Sequence, residues 1–170
     1  EAFSKVVEIN ERLGIEDPVP YTQIAKTYAQ MGEGLVSSRN ARKALQLGPT
    51  NPDMYGQLGV IYFQARNYEG AIPAFQCALE GCDAEVSCEV RQCDFENDVK
   101  VTITGLPLDD NTVVYYYTYG SVLAGMHRPS NGYCAKAMEI LGKVRTAYSG
   151  DALILSIIQP SEEICRSYGY

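Results

Sequence analysis

The sequence predicts a mainly α chain: a short α-α superhelix, or solenoid, of stacked helix pairs carrying one inserted β-hairpin. Three observations predict it. Two stretches repeat each other at a spacing of 34 residues, their large and small apolar residues recur at helical period, and the segment 81–111 abandons that period. In one stretch Asn51-Pro52-Asp53-Met54-Tyr55 leads into Leu58, Gly59, Tyr62, Ala71, Phe75 and Ala78. Asp17-Pro18, Tyr21, Ile24, Ala25, Tyr28, Ser37, Ala41, Ala44 and Pro49 fill the same roles earlier in the chain. A helix pair of this kind cannot bury its faces alone and has to stack on the next pair.

Taken in order, residues 1–16 read as a half-repeat, a helix with Ala2, Val6 and Ile9 on one face. Repeat 17–50 opens at Asp17-Pro18 and stops at Gly48-Pro49. Repeat 51–80 opens at Asn51-Pro52, a capping side chain followed by a residue whose missing N–H is harmless there. In segment 81–111, Val86, Cys88 and Val90 alternate with polar residues, and so do Val99, Val101 and Ile103, about the turn-forming 94-DFEND-98. That predicts hairpin strands near 85–92 and 98–104, marginal unless they lie on the helices or are crosslinked. Residues 112–150 form a degenerate repeat with Tyr116, Tyr119, Gly120 and Leu123, then Ala137, Leu141 and Val144, around a long turn at 126–133. Residues 151–170 give a terminal helix that Pro160 should kink or split. The whole chain, 1–170, reads as one domain. Gly59 and Gly120 fall where the two helices of a pair cross most closely, and Ala25 does the same with one methyl.

This pattern resembles the tetratricopeptide repeat: an aromatic, Leu, Gly or Ala, and Tyr on the first helix, then Ala, Phe and Ala on the second, with Pro at the exit. The resemblance covers all but the insertion, and its cysteines make it an unusual, extracytoplasmic variant. It implies protein binding without catalysis, along a concave groove lined by the first helix of each pair. Carried onto this chain, the groove holds Gln23, Lys26 and Gln30, then Gln57, Val60 and Gln64, then Tyr117, Ser121 and Ala124. One subgroup grips a peptide C-terminus with a Lys, Asn and Arg clamp. The matching positions here are Thr22, Lys26, Gly56, Val60, Tyr117 and Ser121, so that clamp is absent.

Composition narrows the partners. A net charge of −7 over 170 residues argues against nucleic acid and anionic membrane surfaces, which attract basic patches. The longest apolar runs, such as 152-ALILSII-158, fall short of the roughly 20 residues that span a bilayer. The chain begins at Glu1 rather than Met, which reads as a mature product or a fragment. Thirteen Tyr exceed what repeat cores need, and 115-YYY-117 cannot point inward as a whole, so part of this set lies on the surface.

Six cysteines, Cys77, Cys82, Cys88, Cys93, Cys134 and Cys165, read as disulfides and so as an extracellular, cell-surface or periplasmic location. Cys134 opens one helix and Cys165 closes the next, so antiparallel packing suits a bridge between them. The other four pair in any of three ways. Zinc is the rival reading, though C-x4-C-x5-C-x4-C is not the tight C-x2-C knuckle.

Signals for chemistry are sparse. His127, the single His, reads as a solvated turn residue. Asp109-Asp110 and Glu162-Glu163 read as helix starts or helix surface. No catalytic residue, metal set or cofactor motif emerges. The ends are more telling. Phe3, Val6 and Ile9 on the first helix, and Leu155, Ile158 and Ile164 on the last, read as apolar faces that want a partner. The expectation is a structural protein that stacks head to tail with copies of itself into a fibre or array. The alternative is a monomeric peptide-binding adaptor that uses the groove.

Overall fold

The computed structural model describes residues 2–170. The helices are α1 (Ala2–Leu13), α2 (Val19–Gln30), α3 (Gly34–Leu47), α4 (Pro52–Gln64), α5 (Tyr68–Leu79), α6 (Ala84–Arg91), α7 (Val113–Gly125), α8 (Tyr133–Ala147) and α9 (Ala152–Ser167). They pack as two compact units, Glu1–Leu106 and Pro107–Tyr170.

In the first unit each helix from α1 to α5 packs on the one that follows, α2 also touches α4, and α3 touches α6. Local sequence sets the helix starts. Asn51 accepts a hydrogen bond from the N–H of Asp53 at 3.0 Å, and Asn67 accepts one from Gly70 at 3.0 Å. Asp17 accepts one from Val19 at 2.9 Å. Each satisfies an N–H that the helix itself cannot reach. Burial then follows the repeat: Tyr55, Leu58, Phe75, Ala71 and Ala78 are sealed from solvent. A Cβ on Gly59 would sit 2.7 Å from the Phe75 ring, so the glycine is what lets α4 and α5 close. Repeat 17–50 solves the same contact differently. Ala25 and Ala41 are both buried there, and the buried Ser37 hydroxyl donates to the Ala25 carbonyl at 2.7 Å.

The inserted hairpin is not what forms. Residues 85–92 lie almost wholly in α6, capped by Asp83, whose carboxylate accepts the Val86 N–H at 3.0 Å. The alternation of Val86, Cys88 and Val90 misled because Val86 and Val90 are also four apart. The buried set is Ser87, Cys88, Val90 and Arg91, a helical face. Residues 99–104 are extended, with Val101 and Ile103 inward, but their ladder is one isolated bridge, Cys82 to Ile103. Side chains of α6 replace the missing strand. The Ser87 hydroxyl donates to the Val101 carbonyl, and the buried Arg91 guanidinium donates to the carbonyls of Ser87 at 3.2 Å and Val99 at 3.1 Å.

In the second unit α7, α8 and α9 all pack on one another around Val113, Leu141, Val144 and Ile158. Gly120 meets Leu141, whose Cγ would lie 2.7 Å from an added Cβ. Of the three consecutive tyrosines, Tyr115 is buried, while Tyr116 and Tyr117 are half-buried against the core. Helix α9 runs through Pro160 without a break in its assignment, so the expected split does not occur.

All six cysteines are bonded: Cys77–Cys82, Cys88–Cys93 and Cys134–Cys165. No thiolate is left for zinc, and the bonds fit an oxidising compartment. Among the described residues no helix is long and apolar enough to cross a membrane.

Candidate functional site

Three regions carry the features from which function can be argued: the faces of α1 and α9, the α2 and α4 surface, and a cleft at the turns of the first unit. Helix α1 buries none of its residues. Phe3, Val6, Ile9 and Leu13 are 44 %, 40 %, 52 % and 65 % exposed. Ala2, Val6, Ile9 and Leu13 stand at i, i+4, i+7 and i+11, which aligns them along one side. The helix is tied to α2 through the Tyr21 hydroxyl, which donates to Glu11 at 2.7 Å. Burial first, and then this contact with Glu11, push the Tyr21 phenol up to about 12.

On α9 the exposed row is Leu153, Ile157, Pro160 and Ile164, with the same i, i+4, i+7, i+11 spacing. This corrects the face expected from sequence. Ile158 is fully buried in the core of its unit and Leu155 packs half-buried against that core, so of Leu155, Ile158 and Ile164 only Ile164 is on the exposed side. The reason is that α9 docks on both α7 and α8, which turns the Ile158, Ser161 and Cys165 stripe inward.

Glu162 was expected on a helix surface and is buried instead. Its carboxylate accepts from Arg145 Nε at 2.8 Å and from Arg166 at 3.2 Å. The Arg145 hydrogen bond, which outweighs burial, holds the carboxyl below its ordinary 4.5. A depressed acid stabilises the fold fully above the unfolded value, and that stabilisation fades as pH falls through the folded one. Replacing Glu162 by Gln should therefore lower stability by about 1–2 kcal/mol at neutral pH. Urea midpoints of parent and variant should converge below pH ~4.5, and a gap that stays constant into acid would contradict this.

His127 is likewise not a solvated turn residue. It is buried, its Nδ1 accepts the Cys134 N–H at 3.0 Å, and the rings of Tyr168 and Tyr170 lie edge-on at 4.7 Å and 5.4 Å. It organises the turn before α8. Among the described residues no cluster of His, Cys, Asp and Glu has the arrangement of a metal site.

Of the expected groove residues, those on α2 and α4 belong to the first unit and those on α7 to the second. Gln23 is half-buried and Lys26 exposed on α2. On α4, Gln57 donates to the Asp53 carboxylate, Val60 is half-buried and Gln64 exposed. Tyr117 and Ser121 belong to the other unit. Tyr117 packs on the core there, and the Ser121 hydroxyl accepts from Ser161 at 2.9 Å, so α9 covers that side of α7.

Gln64 does line a concave feature, a cleft of about 500 Å3 in the first unit. It is formed by the α2–α3 turn, α3, the end of α4 and the α4–α5 turn, and it holds Arg39, Arg42 and Arg66. Arg42 donates to the Tyr62 hydroxyl at 2.8 Å. None of the three arginines pairs with a carboxylate among the described residues. Arg66 has φ +59, and its repeat equivalent, Gly32, has φ +77. An L-residue in that region costs roughly 1–2 kcal/mol that glycine does not incur. The sequence reading missed this cleft. The signal available was a pair of arginines three apart on α3, in an acidic chain, and an Arg at the repeat's Gly position.

No protein-family model matches the chain, and no curated protein or solved structure matches it.

Proposed function

We propose that this is a non-catalytic, tetratricopeptide-like structural protein that associates head to tail with copies of itself, the α1 row of one copy lying against the α9 row of the next. The observation that carries the reading is the pair of exposed apolar rows with one spacing: Ala2, Val6, Ile9 and Leu13 on α1, and Leu153, Ile157, Pro160 and Ile164 on α9. Both rows extend about 16 Å at 1.5 Å per residue, so they match over their whole length. Burying one such Leu or Ile side chain is worth roughly 1.5–3 kcal/mol. A heterologous contact of this kind propagates into a filament unless its rotation closes a ring. The three disulfides support placing this assembly outside the cell or in the periplasm.

Light scattering and negative-stain imaging test the reading. The 170-residue chain should form concentration-dependent oligomers with no added ligand. Val6→Asp or Ile157→Asp should weaken association at least about tenfold, or 1.4 kcal/mol. Mixing the two variants should stop at dimers, because each retains one intact row. A chain that stays monomeric at the highest attainable concentration would end the proposal.

A further inference from the structure

We propose that the cleft at the turns of the first unit binds an acidic peptide segment, gripped by Arg39, Arg42 and Arg66. The chain carries 21 acidic residues against 14 basic ones, yet this cleft is lined by three arginines and by no Asp or Glu. Guanidinium groups present a planar fork that takes a carboxylate through two hydrogen bonds. Two of them lie a helical turn apart on α3, and the third reaches in from the α4–α5 turn, so separate carboxylates have separate holders. Arg66 keeps a left-handed backbone that its equivalent Gly32 satisfies freely, and strain of this sort persists where a side chain is needed.

The rest of the lining selects a peptide over a lone oxyanion. About 500 Å3 lies within the range of sites built for ligands much larger than phosphate. Leu35, 85 % exposed at the rim, offers an apolar contact, and Ser38, Gln64 and Asn67 offer hydroxyl and amide groups suited to peptide backbone. This site is independent of the α1 and α9 rows, so it stands or falls separately from self-association.

Calorimetric titration of the intact, oxidised chain with a capped pentapeptide of alternating Glu and Leu tests it. The Lys and Leu counterpart and inorganic phosphate serve as the comparison ligands. The Glu peptide should bind, the Lys peptide should not, phosphate should bind far more weakly, and binding should weaken as salt is raised. Arg39→Gln and Arg66→Asn should each weaken binding roughly fivefold or more. Asn tolerates the left-handed backbone, so Arg66→Asn should keep the parent thermal midpoint. Lys43→Gln, on α3 but outside the cleft, should bind as the parent does. Equal binding of the two peptides, phosphate binding as tight as the Glu peptide, or equal losses at Lys43 and the arginines would each overturn the assignment.

Discussion

Replacing Cys134 and Cys165 together by Ala is expected to lower the unfolding free energy by roughly 3–4 kcal/mol, the chain-entropy value for a crosslink of this span. The bond joins residues 31 apart and ties the start of α8 to the end of α9. The other two bonds each join residues five apart, for which the same reasoning gives roughly 2 kcal/mol. The effect should be concentrated in Pro107–Tyr170. A unit of that size has a small core, and its apolar burial leaves only about 3–5 kcal/mol of net stability. Urea unfolding followed by hydrogen exchange at α7, α8 and α9 checks it: exchange should accelerate there and stay near parental values in α2 to α5. A loss no larger than that of Cys77→Ala/Cys82→Ala would show that the long crosslink contributes nothing beyond a short one.

The second large effect is expected at Gly105. A Cβ there would overlap the carbonyl oxygen of Leu79, a backbone atom that no rotamer change can move aside. Two neighbouring contacts hold the segment in register: the Leu106 N–H donates to Ala78 at 2.8 Å, and the Ile103 N–H donates to Cys82 at 2.9 Å. Lifting residues 99–105 off would expose the buried Val101 and Ile103 and strip Arg91 and Ser87 of their carbonyl acceptors. Gly105→Ala should therefore cost about 3 kcal/mol, the overpacking penalty joined by unsatisfied polar groups. Fast exchange of the Ile103 and Cys82 amides in the variant should accompany the loss. Unchanged protection there would place the strain elsewhere.

What the sequence made legible was local or periodic. Gly59 and Gly120 stood out because a close crossing admits no side chain, and each does meet a large residue, Phe75 and Leu141. Asn51 announced α4 because capping is a contact between near neighbours. The Cys134–Cys165 bond was foreseeable from two antiparallel helices whose ends come together. The failures share a cause. Val86 and Val90 satisfy both a two-residue and a helical period, and it is the cap at Asp83 that decides between them. Ile158 reads as outward because a terminal helix with no following partner leaves an apolar face uncovered, and Glu162 reads as an ordinary surface acid, whereas α9 packs on both α7 and α8 and buries both residues. The arginine cleft draws on residues 39 to 66, which meet only once the helices have stacked, and no short window displays that.

The two outward rows differ in how firmly they are held. Helix α9 is bolted to α8 by a covalent bond and by the Glu162 carboxylate, which accepts from Arg145 of α8. Helix α1 buries no residue and, among the described residues, packs on α2, with the Tyr21 to Glu11 hydrogen bond between them. In the assembly proposed above, a load on the contact between copies would therefore loosen α1 before α9. Each rupture would leave a rigid α9 face intact and ready to be recaptured.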